Sequence, residues 1–185
     1  MIEDKRIEKV DFTLVELDES YADCTFVGCN FAEIRFGDLY FENCTFELCN
    51  FSLVKMNNTS WRDVQFVECK MTGADFTNSS TFSSFHFRKS HLQYASFVGM
   101  KLVKAQFIEC NLQEAYFDEA NLSSALFDRC DMERTEFTKT NLEKADLSTS
   151  YHFDINPNTN RIRKARFSKN ELEGLLRSFG IQVVD

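Results

Sequence analysis

Apolar residues recur every five positions along most of this 185-residue chain. The pattern comprises 27 five-residue units, whose central residue is Phe in 16 units, Leu in seven, Met in three and Trp61 in one. A period of five fits neither an α-helix, whose apolar face repeats about every 3.6 residues, nor a simple strand, whose faces alternate every two. The chain must therefore turn in the same way at short, regular intervals, which is typical of a solenoid.

The remaining positions of each unit predict how the repeat is built. If three residues of a unit are extended, the first and the third point to the same side. The first position carries small or apolar residues, including all seven cysteines, and the last two positions often carry turn formers, as in Asn57-Asn58. Two departures from the spacing, at Asp18–Asp23 and Asn78–Ser80, are interpreted as local bulges or loops.

Units such as Ala120-Asn121-Leu122-Ser123-Ser124 resemble the pentapeptide-repeat family, and the resemblance covers roughly residues 10–149. It implies an all-β fold, a right-handed quadrilateral β-helix with four units, or 20 residues, per turn. At ~4.8 Å per turn, the 27 units predict six to seven turns and a rod on the order of 30 Å long. The cysteines support the 20-residue period independently, because they recur at that spacing in three sets: Cys24 and Cys44; Cys29, Cys49 and Cys69; Cys110 and Cys130.

Charge and composition restrict the class of partner and the compartment. The net charge of −8 and the pI of about 5.0 argue against direct binding to nucleic acid or to an anionic membrane, since either needs clustered basic residues. The N-terminus is charged from Glu3 and has no apolar stretch typical of a signal peptide, so a cytoplasmic location is expected. Cysteines in that compartment stay reduced, and we interpret all seven as buried thiols that pack as small apolar groups.

No motif in the sequence predicts catalysis. Phosphate-binding loops, nucleophile elbows and zinc-ligand spacings are absent. His86 and His91 occupy outward positions and are expected to be solvated, and His152 follows the repeat region. A packed rod offers no cleft in which a carboxylate would be desolvated. We therefore expect a protein that is not an enzyme and has no catalytic, cofactor-binding or metal-binding residues.

The end of the chain differs from the rest, so the sequence predicts a pentapeptide-repeat β-helix over residues 1–150 and a separate segment over residues 151–185. Ser168 and Glu171 match a capping box and predict the start of a short α-helix, which Gly180 would end. Residues 181–184 are typical of a short strand. The basic run at residues 161–166 is interpreted as solvated or internally paired, with a nucleic-acid patch as the less favoured alternative.

This segment is similar to the C-termini of Qnr-type and MfpA-like quinolone-resistance proteins, notably at residues 160–165, 172–176 and 180–184. The resemblance implies a two-fold homodimer formed through the C-terminal helix. A helix that only caps the open end of the β-helix is the alternative. The dimer interface implied by the resemblance comprises Leu172, Leu175, Leu176, Phe179, Ile181 and Val183.

The acidity of the chain belongs to the repeat region. Residues 1–150 hold 25 acidic and 15 basic side chains, whereas residues 151–185 hold four and six. The resemblance implies a DNA mimic that modulates DNA gyrase and topoisomerase IV and protects them from quinolones. For the units centred on residues 26–147, however, the outward charges assigned in rotation to four faces sum to −2, −2, −2 and +1, which is a diffuse distribution. A structural scaffold or interaction module for an unrelated partner remains the alternative.

Overall fold

The computed structural model describes residues 1–77, 79 and 81–182. The chain winds into a β-solenoid of about eight turns whose strands all pair in parallel. Equivalent residues on successive turns generally lie 20 positions apart, as in the pairing of Phe26 with Phe46 and of Phe46 with Phe66. The predicted β-helix is confirmed, because inward apolar residues at this period stack directly above one another.

Each turn has four sides, which stack into four faces of the rod. A side is identified by its central inward residue. In the first two turns, the sides of face 1 are centred on Ile2 and Tyr21, those of face 2 on Ile7 and Phe26, those of face 3 on Phe12 and Phe31, and those of face 4 on Leu17 and Phe36. Faces 3 and 4 are held by single parallel bridges, whereas regular strands lie on faces 1 and 2. The strands of face 1 are β1 Ile2–Glu3, β3 Ser20–Ala22, β5 Tyr40–Glu42 and the first halves of β7 Ser60–Val67 and β8 Thr81–Arg88. The strands of face 2 are β2 Arg6–Glu8, β4 Thr25–Val27, β6 Thr45–Glu47, the second halves of β7 and β8, β9 Gln106–Ile108, β10 Leu126–Asp128, β11 Asp146–Leu147 and β12 Arg166–Phe167.

The core consists of aromatic ladders that run along the rod. Phe107 stacks on Phe127 with ring centroids 4.9 Å apart and planes 4° apart, and it meets Phe117 of a neighbouring ladder edge-on at 5.6 Å. These are the two arrangements that aromatic pairs favour. All seven cysteines are free and buried at the other inward position, as expected. Phenylalanine is thus abundant because one inward position in each unit repeats the same environment.

The corners depend on a left-handed residue at the end of most units. Glu33 has φ +63° and its N–H donates to the carbonyl of Ser52 on the next turn at 2.8 Å. Asparagines stabilise several corners as well: Asn30 Oδ1 accepts from the N–H of Ala32 and from Asn50 Nδ2 of the next turn, each within 3.2 Å. A side chain that bonds the backbone two residues on forms the turn locally.

The first departure from the five-residue spacing is a shortened side rather than a bulge or loop. Ile2 pairs with Tyr21 and Ile7 with Phe26, so this turn contains 19 residues. Tyr21 is buried and its hydroxyl accepts from the N–H of Asp18 at 3.0 Å. The rod therefore starts at Ile2, and its eight turns span about 38 Å rather than 30 Å. The sequence pattern included the Phe12 and Leu17 sides of this turn but missed those of Ile2 and Ile7, which are only half-buried at the end of the rod.

The second departure inserts one residue, so that Ser60 of β7 pairs with Thr81 of β8. Ser79 is hydrogen-bonded there through its hydroxyl, which donates to the carbonyl of Met56 at 2.9 Å. Asn78 and Ser80 lie outside the described residues.

The coil continues past residue 150, where the five-residue pattern ends, because β12 pairs with β11 and closes one further turn. A helical segment follows, with 3-10 turns at Lys169–Glu171 and Arg177–Phe179 around a single α-helical turn, α1, at Glu173–Leu176. Ser168 and Gly180 flank it as predicted, Ser168 Oγ accepting from the N–H of Asn170 at 3.3 Å and Gly180 adopting φ +64°. The predicted strand does not form at Ile181 and Gln182, and its remainder lies outside the described residues.

Candidate interaction surfaces

The grooves described on the surface of residues 1–77, 79 and 81–182 do not enclose a catalytic site. These grooves are open, with volumes of about 280 to 410 Å³. Across residues 1–77, 79 and 81–182, no three metal-binding side chains converge, and no helix is long and apolar enough to cross a membrane. His86 lies half-buried on face 2 and His91 lies exposed on face 3. The outer faces and the two ends of the rod are therefore the candidate sites.

The register of the turns shows that the negative charge is concentrated on one side of the rod. Faces 1 and 2 hold 13 acidic and 14 basic side chains between Glu3 and Arg166, a net charge of +1. Faces 3 and 4 are adjacent and hold 12 acidic and five basic side chains between Asp11 and Lys139, a net charge of −7. We call faces 3 and 4 the acidic side. Its acidic residues are Asp11, Glu16, Asp18, Glu33, Asp38, Asp75, Glu114, Asp118, Glu119, Asp131, Glu133 and Glu136.

This result corrects the diffuse distribution expected from the sequence. The earlier count ran over units 26–147 and so left out both ends of the rod. The first turn adds Asp11, Glu16 and Asp18 to the acidic side, while basic residues at both ends of face 2 cancel the negative charge there.

The two sides also differ in how their charges are satisfied. On face 2, Arg129 contacts both Glu109 at 2.6 Å and Asp128 at 3.0 Å, and this guanidinium lowers the pKa of Glu109. On the acidic side, ion pairs involve Glu114, Glu119 and Asp131. The other nine carboxylates there form no ion pair with the described residues. They remain available to a partner.

The C-terminal helical segment forms a second surface by capping the last turn. Gly174 is buried, and its carbonyl accepts from the N–H of Ile155 at 2.9 Å. A Cβ atom at Gly174 would lie 2.0 Å from the carbonyl oxygen of Phe153, so only glycine permits this approach. Phe153 and Ile155 are themselves buried, and the segment thus covers the apolar end of the core.

The structure separates the residues that sequence analysis assigned to a dimer interface. Leu172, Phe179 and Ile181 are 43%, 52% and 55% exposed. Leu175 packs against the core and helps to hold the cap in place, whereas Leu176 is half-buried. Val183 lies outside the described residues. An exposed apolar set therefore remains on the outer surface of the cap.

Comparison with known proteins agrees with this geometry. The model for the pentapeptide repeat region matches residues 19–97 and 78–147. The chain belongs to the pentapeptide-repeat family. A trypsin-treated variant of QnrB1, described as a plasmid-mediated fluoroquinolone resistance protein, is 19% identical with a TM-score of 0.70, over 98% of this chain and 99% of that one. Full-length QnrB1 is 18% identical with a TM-score of 0.67, over 97% and 99%. Comparison with curated protein sequences finds no match.

In this pentapeptide-repeat protein, a histidine links the cap to the acidic side. The N–H of His152 donates to Glu171 at 2.9 Å, and its Nδ1 lies 2.9 Å from Asp131 Oδ1. The Asp131 carboxylate raises the pKa of His152. Glu171 thus contacts the last turn instead of closing the predicted capping box with Ser168. The sequence carried no signal for this contact, because the five-residue pattern ends before His152 and does not place His152 or Glu171 in the coil.

Proposed function

We propose that this protein is a non-enzymatic, cytoplasmic binding protein whose acidic side occupies the DNA-binding surface of a type II topoisomerase, such as gyrase or topoisomerase IV. The observation that carries the proposal is the net charge of −7 on two adjacent faces, nine of whose twelve carboxylates form no ion pair with the described residues. The structural likeness to QnrB1 supports the same class of partner, because that protein is a fluoroquinolone resistance protein.

Charge density decides how well one rod imitates a duplex. Duplex DNA carries one negative charge per ~1.7 Å of its axis. A net charge of −7 over about seven turns, or ~34 Å, is one charge per ~5 Å. One rod thus has about a third of the charge density of DNA, and a longer acidic surface would compete better.

The cap offers a way to lengthen that surface. We propose that a second copy binds through Leu172, Leu176, Phe179, Ile181 and Val183, while Leu175 holds the helix on its own rod. Two rods joined end to end would span roughly 76 Å, twice the length of one. The exposure of Leu172, Phe179 and Ile181 supports this assignment.

The topoisomerase proposal is tested by gyrase supercoiling and cleavage assays, with and without a fluoroquinolone, across a titration of this protein. A variant with Asp118→Asn, Glu119→Gln, Glu133→Gln and Glu136→Gln should lose most of any inhibition or drug protection. The control carries Glu47→Gln and Glu68→Gln on face 2 and should act like the wild type. Absence of both inhibition and protection by the wild type at micromolar concentration would refute the proposal.

The dimer is tested by light scattering on Leu172→Asp and Phe179→Asp variants, which should be monomeric. Ser178→Asp places the same charge on an exposed position of the same segment and serves as the control. A wild type whose mass by light scattering matches that of the Leu172→Asp and Phe179→Asp variants would show that the cap does not form a dimer.

An interaction module for an unrelated partner is the second candidate. A groove of about 300 Å³ beside the shortened first turn favours it, since its lining combines apolar side chains with the charged Glu16 and Arg35. Its lining includes Phe12, Leu17, Ile34, Phe36 and Leu39. Unchanged gyrase activity together with a protein partner that is lost on Leu17→Asp would favour this candidate.

A further inference from the structure

Face 1 has almost no net charge, but its charges are segregated along the rod. Its first four turns carry Glu3, Asp4, Glu19, Glu42 and other acidic residues, with Arg62 as the one basic side chain. Its last four turns carry six basic side chains and only Glu143 as an acidic one. The two halves therefore have net charges of −5 and +5.

The segregation is clearest in the residues that end each unit of face 1, which we call the corner row. In the first four turns the corner row has three aspartates and one asparagine, and in the last four it has three lysines and one serine. All eight residues have positive φ and are exposed. In chain order they are Asp4, Asp23, Asn43, Asp63, Lys104, Ser124, Lys144 and Lys164.

Backbone hydrogen bonds fix this row as a straight edge of the rod. The N–H of Asp4 donates to the carbonyl of Ala22 at 3.2 Å, and the N–H of Lys144 donates to that of Arg163 at 3.0 Å. Neighbouring members therefore lie one turn, or ~4.8 Å, apart, except Asp63 and Lys104, which lie two turns apart on either side of β8. Apart from a contact between Asp23 and Asn43, the charged members form no hydrogen bond or ion pair through their side chains with the described residues.

A two-fold rotation turns this row into its own complement. If the axis runs along the strand direction at the middle turn, where β8 lies, the first turn of one copy faces the last turn of the other. Asp4 then faces Lys164, Asp23 faces Lys144, and Asp63 faces Lys104. In the adjacent row of face 1, Glu3 faces Arg163. Symmetry doubles these four contacts, and no two like-charged side chains oppose each other in the two rows.

We propose that face 1 binds a second copy of this chain in an antiparallel, side-by-side arrangement. A parallel arrangement would place the acidic half of face 1 against the acidic half of its partner and the basic half against the basic half, which costs rather than gains energy. The contact is distinct from the cap and from the acidic side, because it uses another face of the rod. Its physical basis is electrostatic complementarity between exposed charges, so it is screened by salt.

The size of the contact predicts its strength. A face ~10 Å wide and ~38 Å long would bury on the order of 800 Å² in total, which belongs to the weak class of interfaces. We therefore expect association at tens to hundreds of micromolar protein at low salt. Each exposed ion pair contributes little alone, but reversing one half of the corner row turns six attractive contacts into repulsive ones and should raise Kd at least ~10-fold.

The experiment is sedimentation equilibrium in the background of Leu172→Asp and Phe179→Asp, which removes association through the cap. The basic-row variant carries Lys104→Glu, Lys144→Glu and Lys164→Glu, and the acidic-row variant carries Asp4→Lys, Asp23→Lys and Asp63→Lys. The corner positions tolerate both residue types, since Glu33 and Lys89 adopt the same positive φ. Circular dichroism and Trp61 fluorescence verify the fold of each variant.

Each variant alone should fail to self-associate, and an equimolar mixture of the two should form a heterodimer. A swap variant with all six changes has the same net charge as its parent, because the three Asp→Lys and three Lys→Glu changes cancel, and it should self-associate like the parent. Raising the salt from 50 to 500 mM should weaken both complexes at least 10-fold. A control with Lys55→Glu, Lys70→Glu and Lys139→Glu on the acidic side should behave like the parent.

A parent that stays monomeric at low salt and variants that form no heterodimer would overturn the proposal. Self-association that persists unchanged in the basic-row variant would overturn it as well. If the variants alter binding to a topoisomerase but not self-association, the occupant of face 1 is that partner and not a second copy.

Discussion

Gly174 is the position where one added methyl group should release the cap from the rod. The Cβ of an alanine would lie 2.0 Å from the carbonyl oxygen of Phe153, whereas real Cβ atoms essentially never come closer than 3.0 Å. The helical segment must therefore move by about 1 Å. Such a shift lengthens the hydrogen bond from the N–H of Ile155 to the carbonyl of Gly174, now 2.9 Å, beyond useful range.

Two opposing terms decide the sign of the effect. Alanine favours a helix over glycine by about 1 kcal/mol. Overpacking costs about 1–3 kcal/mol, and the lost hydrogen bond costs about another 1 kcal/mol. We expect Gly174→Ala to destabilise the docked cap by about 1–3 kcal/mol, because the steric and hydrogen-bond terms together exceed the gain in helix propensity.

Hydrogen exchange measured on peptides locates the effect. Peptides covering residues 150–180 should exchange faster in Gly174→Ala, while peptides from the middle of the rod should not change. Ser178→Ala, at an exposed position of the same segment, is the control and should leave exchange near Gly174 unchanged. Unaltered or slower exchange around Ile155 in Gly174→Ala would show that the cap does not dock through this glycine.

Phe107→Ala should lower the free energy of unfolding by about 3–5 kcal/mol, and Phe12→Ala by less, because Phe107 stacks on two neighbours and Phe12 on one at the open end of the rod. Urea unfolding followed by Trp61 fluorescence measures both losses, and equal losses would contradict the ladder. The raised pKa of His152 stabilises the cap fully below pH ~6.5, and this contribution is lost as the pH rises through the folded-state value. Urea midpoints of the wild type should thus fall between pH 6 and pH 8 more than those of His152→Gln, and parallel profiles would contradict the pairing. Burial raises the pKa of Cys44 to about 12, so DTNB should label the native protein slowly and all seven thiols after denaturation; fast native labelling would contradict their inward placement.

The fold could be predicted from the sequence because every five-residue unit repeats the same pattern of apolar, small and polar positions. One apolar centre and one small first residue recur every five residues, which predicts a regularly turning coil, and the resemblance to the pentapeptide-repeat family implied its four sides. Phe107 and Cys110 are buried as predicted. The first two sides of the first turn, at Ile2 and Ile7, were missed for a physical reason. Tyr21 completes a four-residue side, and Ile2 and Ile7 are only half-buried at the end of the rod, where the pattern weakens.

The interaction surfaces were less accessible to sequence analysis, because they depend on which residues share a face. The acidic side appears only after the shortened turn and both ends are assigned to faces. The contact of His152 with Asp131 and Glu171 requires the last turn to fold back beneath the cap. The approach of Gly174 to Phe153 likewise joins residues that no repeat relates.

The core of this rod constrains the inward residues and leaves the outward residues largely free. The order of charges along a face is therefore not set by packing. Inward positions are fixed by packing, whereas the outward positions accept almost any polar residue. In the corner row, positive φ favours Asn and Asp, which accounts for Asp4, Asp23 and Asp63. It does not account for Lys104 and its two counterparts, since lysine gains nothing locally from that conformation. A row of aspartates followed by lysines is therefore not required by the fold, and its order along the rod matters only to something that lies against it.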